Sequence, residues 1–298
     1  MLGSEIEAFV GALMFERSLA ANTCESYGRD LARFAAYLAG RGLSQASEVT
    51  EEHIRDFLES ERAQGMSPAT RERRTAAIRG FFRFLVERHR LAIDPAALVE
   101  SARRGVTLPR ILSEEETFRM LDAIAGTEPR ELRDRALLEV MYGCGLRVSE
   151  TCDLRMDSIV SNGELLRVFG KGSKERVVPL GKSAGAALNR YFESARDCFT
   201  RGNVDETHVF VTRLAKPFTR QGVFKVIRER AAAVGIAPDR VSPHVLRHCC
   251  ASHMLSHGAD IRAIQELLGH ADIGTTQIYT HVDVARFSEI HRRFHPRA

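Results

Sequence analysis

The sequence has few of the features that hold a small secreted domain together. Its six cysteines include no C-x-x-C pair, and Cys249 and Cys250 are direct neighbours, so a disulfide framework or a zinc ribbon is not expected. No stretch approaches about 18 consecutive apolar residues, and the N-terminus lacks a basic segment followed by an uninterrupted apolar one. These absences predict a chain without a membrane span, located in the reducing cytoplasm.

The composition excludes a disordered or collagen-like chain. Apolar residues make up 44% and charged residues 28% of the sequence, values typical of a globular protein, and no internal repeat is evident. A chain of 298 residues has the length of two domains of about 150 residues, each able to enclose a hydrophobic core. The net charge of +4 permits a polyanionic partner but does not require one.

Helix signals dominate residues 1–104. Apolar residues recur there at intervals of three and four, Thr50 is placed as an N-cap, and Ser67 precedes Pro68 at the first position of a helix. Four amphipathic helices are predicted, over residues 5–15, 24–38, 51–62 and 68–89. They are expected to form one bundle, the N-terminal domain.

The fourth predicted helix is strongly basic. From Arg71 to Arg90 it carries seven arginines against Glu72 and Glu87, a local charge of +5. A solvated outer face of the bundle would explain this run, and so would a track of contacts to phosphates. The arginines cannot all lie on one helical stripe, so some are expected to form only surface ion pairs, each of little energetic weight.

A linker is predicted over residues 105–112, because Gly105 and Pro109 cannot sustain a helix. The second domain, residues 113–298, begins with the capping box of Ser113. Its predicted helices span residues 113–125, 130–142, 183–199, 220–234, 243–257, 261–267 and 275–280, with a β-hairpin of residues 165–169 and 175–180, a short strand over 208–211 and a final helix in the tail 281–298. The predicted fold is mainly α: a four-helix bundle, then a mixed, mostly helical domain with a small β-hairpin.

The densest polar cluster lies in the helix predicted over residues 243–257. His244 and Arg247 are three residues apart there and share a helix face. Helical zinc hydrolases carry a glutamate between their paired histidines, whereas Arg247 lies between His244 and His248. A structural role is favoured for the cluster, and a metal site stays open as the alternative. Its potential metal ligands are His244, His248, Cys249, His253 and His257.

Other polar residues have ordinary explanations when each is taken alone. Arg147 follows a glycine-flanked turn and opens a helix, where an anion can bind, and Glu150 lies three residues further on. Lys171 lies in the hairpin loop, from which its ammonium group can reach a substrate oxygen. His270 follows a helix end as a capping residue would, and Tyr279 has the position of a half-buried packing residue.

Together, and in this order, these residues resemble the signature of the tyrosine site-specific recombinases, the phage integrase family. The motifs are G-L-R-V-S-E, a hairpin lysine, H-V-L-R-H, L-L-G-H and a terminal Y-T-H, over about residues 113–281. The helical N-terminal segment is similar to that family's core-binding domain. The string T-T-Q-I-Y-T-H and the ending H-P-R-A resemble the Xer group, and within it the XerD-like rather than the XerC-like branch.

The resemblance implies roles for individual residues. Tyr279 would attack the scissile phosphodiester and form a 3′-phosphotyrosyl bond, with His244 as acid/base and Lys171 as the acid for the leaving 5′ oxygen. The reaction implied is DNA strand breakage and rejoining without ATP, metal or any other cofactor. The implied catalytic residues are Arg147, Lys171, His244, Arg247, His270 and Tyr279, with Glu150 in a supporting role.

The resemblance also implies partners. The chain would bind a double-stranded DNA recombination site as a tetramer, in particular a heterotetramer with a XerC-like paralogue, and a DNA translocase would activate it to resolve chromosome dimers at cell division. Residues 1–104 would form the core-binding part of a DNA clamp, and the tail 281–298 would pack on a neighbouring subunit or on its own domain. The implied DNA contacts are Arg71, Arg73, Arg74, Arg79, Arg103 and Arg104.

Two functions of other classes stay open from the residues themselves. A helical DNA-binding regulator would use His244 and Arg247 only to hold a phosphate, and it would form no covalent bond to DNA. A metal-dependent phosphodiesterase would use the histidine and cysteine cluster, and a chelator would inhibit it. A topoisomerase-like enzyme, nearer in chemistry, would relax supercoils without exchanging strands between partners.

Overall fold

The helix signals at the start of the chain correspond to four helices in the computed structural model. The structure describes residues 2–15, 21–99, 111–170, 175–203, 205–269 and 281–298. Thr50 caps the third helix and Ser67 the fourth, each side chain accepting a backbone N–H three residues further on. The helices are α1 Leu2–Phe15, α2 Ala21–Ala39, α3 Glu51–Ala63 and α4 Pro68–Glu87.

Aromatic rings fill the core of this bundle. The ring centroids of Phe34 in α2 and Phe57 in α3 are 5.1 Å apart, and Phe9 in α1 meets Phe81 in α4 edge to face at 5.9 Å. Pairs of this kind contribute about 0.5–1.5 kcal/mol beyond the area that they bury. The apolar residues at helical spacing therefore face one shared core, as predicted.

The chain divides into two compact units, Met1–Thr107 and Leu108–Ala298. Most of the predicted linker, residues 105–112, lies outside the described residues. Leu112 at its end is described, is 1% exposed and belongs to the hydrophobic core of the second unit. The packed part of the second unit therefore begins before Ser113.

Helices also dominate the second unit. Its central helix, α6, buries residues around its whole circumference, among them Leu137, Met141 and Tyr142, which indicates packing on every side. Helices α8 and α11 lie against it. In the described part of this unit the helices are α5 Glu114–Asp122, α6 Pro129–Gly143, α7 Val148–Cys152, α8 Lys182–Ser194, α9 Arg196–Thr200, α10 Arg220–Ala233, α11 Pro243–Ser256, α12 Ile261–Leu268 and α13 His281–Phe294.

A small antiparallel sheet lies between α7 and α8. Strands β2 Leu165–Phe169 and β3 Glu175–Pro179 pair as the predicted hairpin, with Leu166 opposite Val178 and Phe169 opposite Glu175. A short strand that was not predicted, β1 Ile159–Val160, adds to the outer side of β2. The predicted mainly α fold with a small sheet is confirmed.

Two predicted elements of the second unit are wrong in detail. The helix over residues 183–199 is interrupted at Ala195, whose φ of −140° lies outside the helical region. The strand over residues 208–211 is reduced to two isolated bridges, at His208 and at Val211. This segment is apolar because it crosses the core, where Val211 is fully buried. A short buried segment of irregular backbone has the same apolar sequence pattern as a buried strand.

The helix predicted over residues 275–280 lies outside the described residues. In the described ranges, no helix combines the length and the apolar content needed to cross a membrane.

Candidate active site

Arg147 is positioned by the turn that connects α6 and α7. Gly145 in this turn has a φ of +57°, and a Cβ there would overlap the side chain of Leu268, so the turn requires glycine. Arg147 is the N-cap of α7, and its Nη1 donates to Glu150 Oε1 at 2.9 Å. Its Nη2 donates to the carbonyl oxygen of Gly269 at 2.7 Å. The guanidinium is held from two sides, and the side chain stays 33% exposed.

Helix α11 brings Arg247 to the same turn. Its Nη1 donates to the carbonyl oxygen of Gly145 at 2.6 Å, and its Nη2 donates to the carbonyl oxygen of Leu268. Burial, together with the charges of Arg147 and Arg176, lowers the pKa of Arg247 to about 10. The group is still a cation at neutral pH, so two positive charges share one turn and one helix end.

His244 lies beside the two arginines at the start of α11. With Arg147 and Arg247 it lines a cleft of about 330 Å³, and the rest of the lining is mostly apolar and includes Leu255 and Ile264. Burial, followed by the charges of His248 and the two arginines, lowers the pKa of His244 below its ordinary value. At neutral pH its imidazole is therefore neutral and can accept a proton.

Glu150 is a buried carboxylate that binds both flanking cations. It is 4% exposed, and besides Arg147 it accepts two hydrogen bonds from Arg176, at 2.6 and 2.8 Å. Burial alone would raise the pKa of Glu150, but the hydrogen bonds and charge of Arg176 and the hydrogen bonds of Arg147 outweigh it and hold the pKa at about 2. Glu150 is therefore an anion at neutral pH, as an orienting partner of Arg147 must be.

Arg176 was missed by the sequence reasoning. It lies on β3 and points to the same side of the sheet as Val178, which is fully buried. The alternation of strand residues contains this signal, because an arginine on the core-facing side of a strand needs a buried acceptor. Its partner, Glu150, could not be identified from that pattern, since it belongs to another element of the fold.

The structure brings four of the predicted site residues together: Arg147, Glu150, His244 and Arg247. The other three predicted catalytic residues lie outside the described residues: Lys171, His270 and Tyr279. In the sequence, Lys171 lies between strands β2 and β3, and His270 directly follows Gly269.

The side chains proposed as alternative metal ligands point to different parts of the fold. His253 accepts from the Tyr142 hydroxyl at 2.9 Å through Nδ1 and donates to the Leu112 carbonyl at 3.0 Å through Nε2, so it is a satisfied core residue. His257 pairs with Glu114 at 2.9 Å on the surface. Within the described ranges, no three histidine, cysteine or acidic side chains are grouped as a metal ion would require.

The arginines of α4 do not all face solvent. Arg74 is 9% exposed and forms ion pairs with Asp30 and Glu61, two carboxylates that are themselves buried. Arg73 binds both oxygens of Asp30 at 2.7 and 3.0 Å, yet 47% of its side chain is exposed. Arg71 and Arg79 are half-buried. Arg74 therefore stabilises the bundle and is not available to DNA, unlike its predicted role. The predicted contacts Arg103 and Arg104 lie outside the described residues.

The C-terminal helix α13 packs on its own domain in this chain. Phe287 is 4% exposed, and His291 Nε2 donates to the carbonyl oxygen of Gly143 at 2.8 Å. Arg297 binds Glu139 at 2.7 Å and Asp122 at 3.0 Å. Of the two arrangements considered for the tail, the single chain adopts docking onto its own domain.

The sequence matches two family models along most of its length. The model of the phage integrase family matches residues 110–286, and that of the phage integrase N-terminal SAM-like domain matches residues 6–89. The tyrosine recombinase XerD of Listeria monocytogenes serotype 4b is 38% identical over 294 residues, covering 98% of this chain and 99% of the relative. The tyrosine recombinase XerD of Pseudomonas aeruginosa is 41% identical over 292 residues, covering 98% of this chain and 97% of the relative.

Solved structures share the fold. The XerH site-specific recombinase bound to palindromic difH substrate, in its post-cleavage complex, aligns with a TM-score of 0.72 and 22% identity over 96% of this chain and 83% of that one. A lambda integrase tetramer bound to a Holliday junction aligns with a TM-score of 0.69 and 18% identity over 92% of this chain and 76% of that one. The resemblance seen in the sequence is confirmed by the family match and the two relatives. The chain belongs to the phage integrase family and is a tyrosine recombinase of the Xer type.

Proposed function

We propose that this chain cuts and rejoins DNA at a specific recombination site through a covalent 3′-phosphotyrosyl bond to Tyr279. One observation carries the proposal. The guanidinium groups of Arg147 and Arg247 are held around a single turn and a single helix end, beside the neutral imidazole of His244. A pair of fixed cations next to a proton acceptor is what transfer of a phosphoryl group to a hydroxyl requires.

The two arginines supply the charge that the reaction needs. In the transition state, negative charge accumulates on the nonbridging oxygens of the phosphorus. A guanidinium group is permanently charged and can donate two hydrogen bonds to such oxygens. Because Arg147 and Arg247 are oriented in advance by backbone carbonyls, little reorganisation is needed when the phosphate binds.

Two proton transfers complete the step. A tyrosine has an ordinary pKa of about 10 and is a poor nucleophile at neutral pH, so His244 accepts the proton as the Tyr279 oxygen attacks phosphorus. The bond from phosphorus to the 5′ oxygen breaks, and Lys171 donates a proton to that oxygen to give a free hydroxyl. His270 would hydrogen-bond the phosphate. The phosphotyrosyl bond conserves the bond energy for rejoining, so ATP, metal and other cofactors have no part in the proposed reaction.

The N-terminal unit, residues 1–104, would hold the DNA while residues 113–298 carry out the chemistry. Support comes from the match of residues 6–89 to the N-terminal SAM-like domain of integrases and from the arginines of α4. The proposed contacts leave out Arg74, whose guanidinium is taken up by buried carboxylates. They are Arg71, Arg73, Arg79, Arg103 and Arg104.

The assembly proposed is a tetramer on a double-stranded recombination site, in particular a heterotetramer with a XerC-like paralogue. A DNA translocase would activate it to resolve chromosome dimers at cell division. Relatives named XerD, at about two-fifths identity over nearly the whole chain, support this role. In the assembled complex the tail 281–298 would exchange its own-domain contacts for those of a neighbouring subunit. The six cysteines are free thiols, which fits the proposed cytoplasmic location.

A suicide substrate with a nick near the crossover tests the proposal. We expect the protein to be trapped on DNA as a covalent adduct in the presence of EDTA, and Tyr279→Phe to bind the same DNA without forming an adduct. Specific binding without an adduct from the unaltered chain would favour a DNA-binding regulator. Cleavage that EDTA abolishes would favour a metal-dependent phosphodiesterase, and either result would refute the proposal.

A further inference from the structure

Three arginines meet at the C-terminal end of α12. The carbonyl oxygens of three consecutive residues there each accept from a different guanidinium: Leu267 from Arg176 Nε at 3.2 Å, Leu268 from Arg247, and Gly269 from Arg147 at 2.7 Å. The last carbonyls of a helix have no partner within the helix. The three guanidinium groups therefore supply hydrogen bonds to the free carbonyls at the end of α12, and these carbonyls in turn hold the guanidinium groups in place.

The same three arginines surround one carboxylate. Arg176 binds both oxygens of Glu150 at 2.6 and 2.8 Å, Arg147 binds one oxygen at 2.9 Å, and Arg247 approaches the other at 3.9 Å. Arg176 and Glu150 are 4% exposed each. Three positive charges against one negative charge leave an excess of +2, in a place with little water to screen it.

We propose that Arg176 is a positioning residue for DNA strand cleavage: it takes up the charge of Glu150 so that Arg147 stays available to the phosphate. This inference rests on the proposed function. Arg176 does not line the cleft formed by Arg147, His244 and Arg247, and it acts on Arg147 through Glu150. Because it belongs to β3, it also ties the hairpin that carries Lys171 to the segment that leads to His270.

The availability of Arg147 depends on which arginine neutralises Glu150. With Arg176 present, the bidentate pair satisfies both carboxylate oxygens of Glu150, and the bond from Arg147 is additional. Without Arg176, Glu150 would be a buried anion with Arg147 as its nearest cation. Arg147 would then be drawn into a closed ion pair, and its charge would be lost to the phosphate.

Gly269 gives independent support for a closely fitted arginine. Its φ is +67°, and a Cβ there would lie 2.9 Å from Cδ of Arg176. The stem of Arg176 is thus packed against the backbone at the point where the chain leaves α12. A shorter or differently shaped side chain on β3 would not fill this contact.

The test compares Arg176→Met with Arg167→Met on the suicide substrate. Arg167 is the matched control, because it lies on the adjacent strand β2 and bonds only the Asp157 carbonyl in the described structure. We expect Arg176→Met to slow adduct formation about tenfold to a hundredfold, with DNA affinity within about twofold of the unaltered chain. Arg167→Met should cleave at the unaltered rate. Equal rates for the two variants would overturn the inference.

Further variants separate positioning from a role in folding alone. Arg176→Lys keeps the charge but not the bidentate geometry, so we expect a rate between those of the unaltered chain and Arg176→Met. The double variant Glu150→Gln with Arg176→Met removes one positive and one negative charge together, so the local excess stays at +2 and no buried carboxylate is left without its main partner. It stays testable if Arg176→Met fails to fold. It should be no slower than Glu150→Gln alone, because Arg176 acts through Glu150.

The double variant also decides the outcome. If it is slower than Glu150→Gln by a further factor of ten or more, the two residues act independently and the inference is wrong. Tyr279→Phe run in parallel keeps this result apart from the proposed function. An adduct that depends on Tyr279 but not on Arg176 refutes the inference alone, whereas no adduct from the unaltered chain refutes both.

Discussion

The two units of the molecule use arginine in opposite ways. In the N-terminal bundle, Arg33, Arg73 and Arg74 converge on two buried carboxylates, Asp30 and Glu61. In the second unit, three arginines converge on one carboxylate, and each of them also donates to at least one backbone carbonyl. An ion pair of one arginine and one carboxylate has no net charge, whereas an arginine held by a neutral carbonyl leaves its positive charge uncompensated. The first arrangement fixes helices together, and the second holds positive charge ready for an anion.

The largest expected effect is on the rate of adduct formation, and it concerns the arginines that backbone carbonyls hold in place. Replacing Arg247 by Met removes a preorganised cation from the proposed transition state, so we expect adduct formation to fall about a hundredfold to a thousandfold. Single-turnover cleavage of the suicide substrate measures it. Arg74→Met, an equally buried arginine in the other unit, serves as control and should leave the rate of the DNA-bound enzyme unchanged. A similar loss of rate from both variants would break the comparison.

For the arginines of the N-terminal bundle, which bind buried carboxylates, we expect a loss of stability instead. Arg74→Met leaves Glu61 and Asp30 with one cation each in a buried setting. The free energy of unfolding of the N-terminal unit should fall by about 3 kcal/mol, measured by urea denaturation of the full chain. Arg83→Met, at an exposed position of the same helix, should change it by less than about 0.5 kcal/mol. An unfolding midpoint that Arg74→Met leaves in place would show that the pairs contribute nothing.

Acid is expected to destabilise the second unit at His295, the residue that directly follows α13. Burial, with the charge of His291 next, lowers the pKa of His295 well below 6.5, and Tyr142, His253 and Arg297 complete its surroundings. Below pH 6.5 the unfolded chain takes up a proton at this position that the folded chain does not. The contribution of His295 to stability is therefore fully present above pH 6.5 and decreases as the pH falls below it. Thermal unfolding of His295→Gln should depend less on pH between 7 and 5 than that of the unaltered chain. An equal pH dependence would contradict this assignment.

The smallest effect concerns DNA affinity. Contacts to phosphates release counterions, so binding should weaken steeply as salt rises. We expect Arg79→Ala to weaken binding equally on specific and unrelated DNA and to reduce the slope of log affinity against log salt by about one. Arg74→Met should leave the slope unchanged, because its charge is already matched. Binding insensitive to ionic strength would contradict the proposed contacts of the N-terminal unit.

Local signals made the bundle and the hairpin predictable. Thr50 and Ser67 mark helix starts through their own side chains, and helical spacing identifies the buried faces. The break at Ala195 has no such signal, because alanine is compatible with a continuous helix. The short helix α7 was anticipated only as the helix that Arg147 opens, without bounds. Strand β1 pairs with β2 and was not predicted.

Within the candidate site, sequence order identified Arg147, His244 and Arg247, which the fold brings to one cleft. The role of Arg74 was predicted wrongly, although the sequence contains a warning. Arg74 shares its helix face with Ile78 and Phe81, both fully buried, so its side chain had to enter the bundle. The alternation of residues along β3 is enough to recognise Arg176 as inward-facing. Its pairing with Glu150 depends on tertiary structure, which that alternation does not predict.

The turn at Gly145 is shared by the two arginines of the candidate site. Its carbonyl anchors Arg247, its backbone leads into Arg147, and its missing side chain leaves room for Leu268. A single added methyl group there would alter no charge and remove no reactive group. It would nonetheless overlap the side chain of Leu268 and strain the left-handed backbone of the turn that holds both cations. The residue of the site with no functional group is therefore among those that tolerate substitution least.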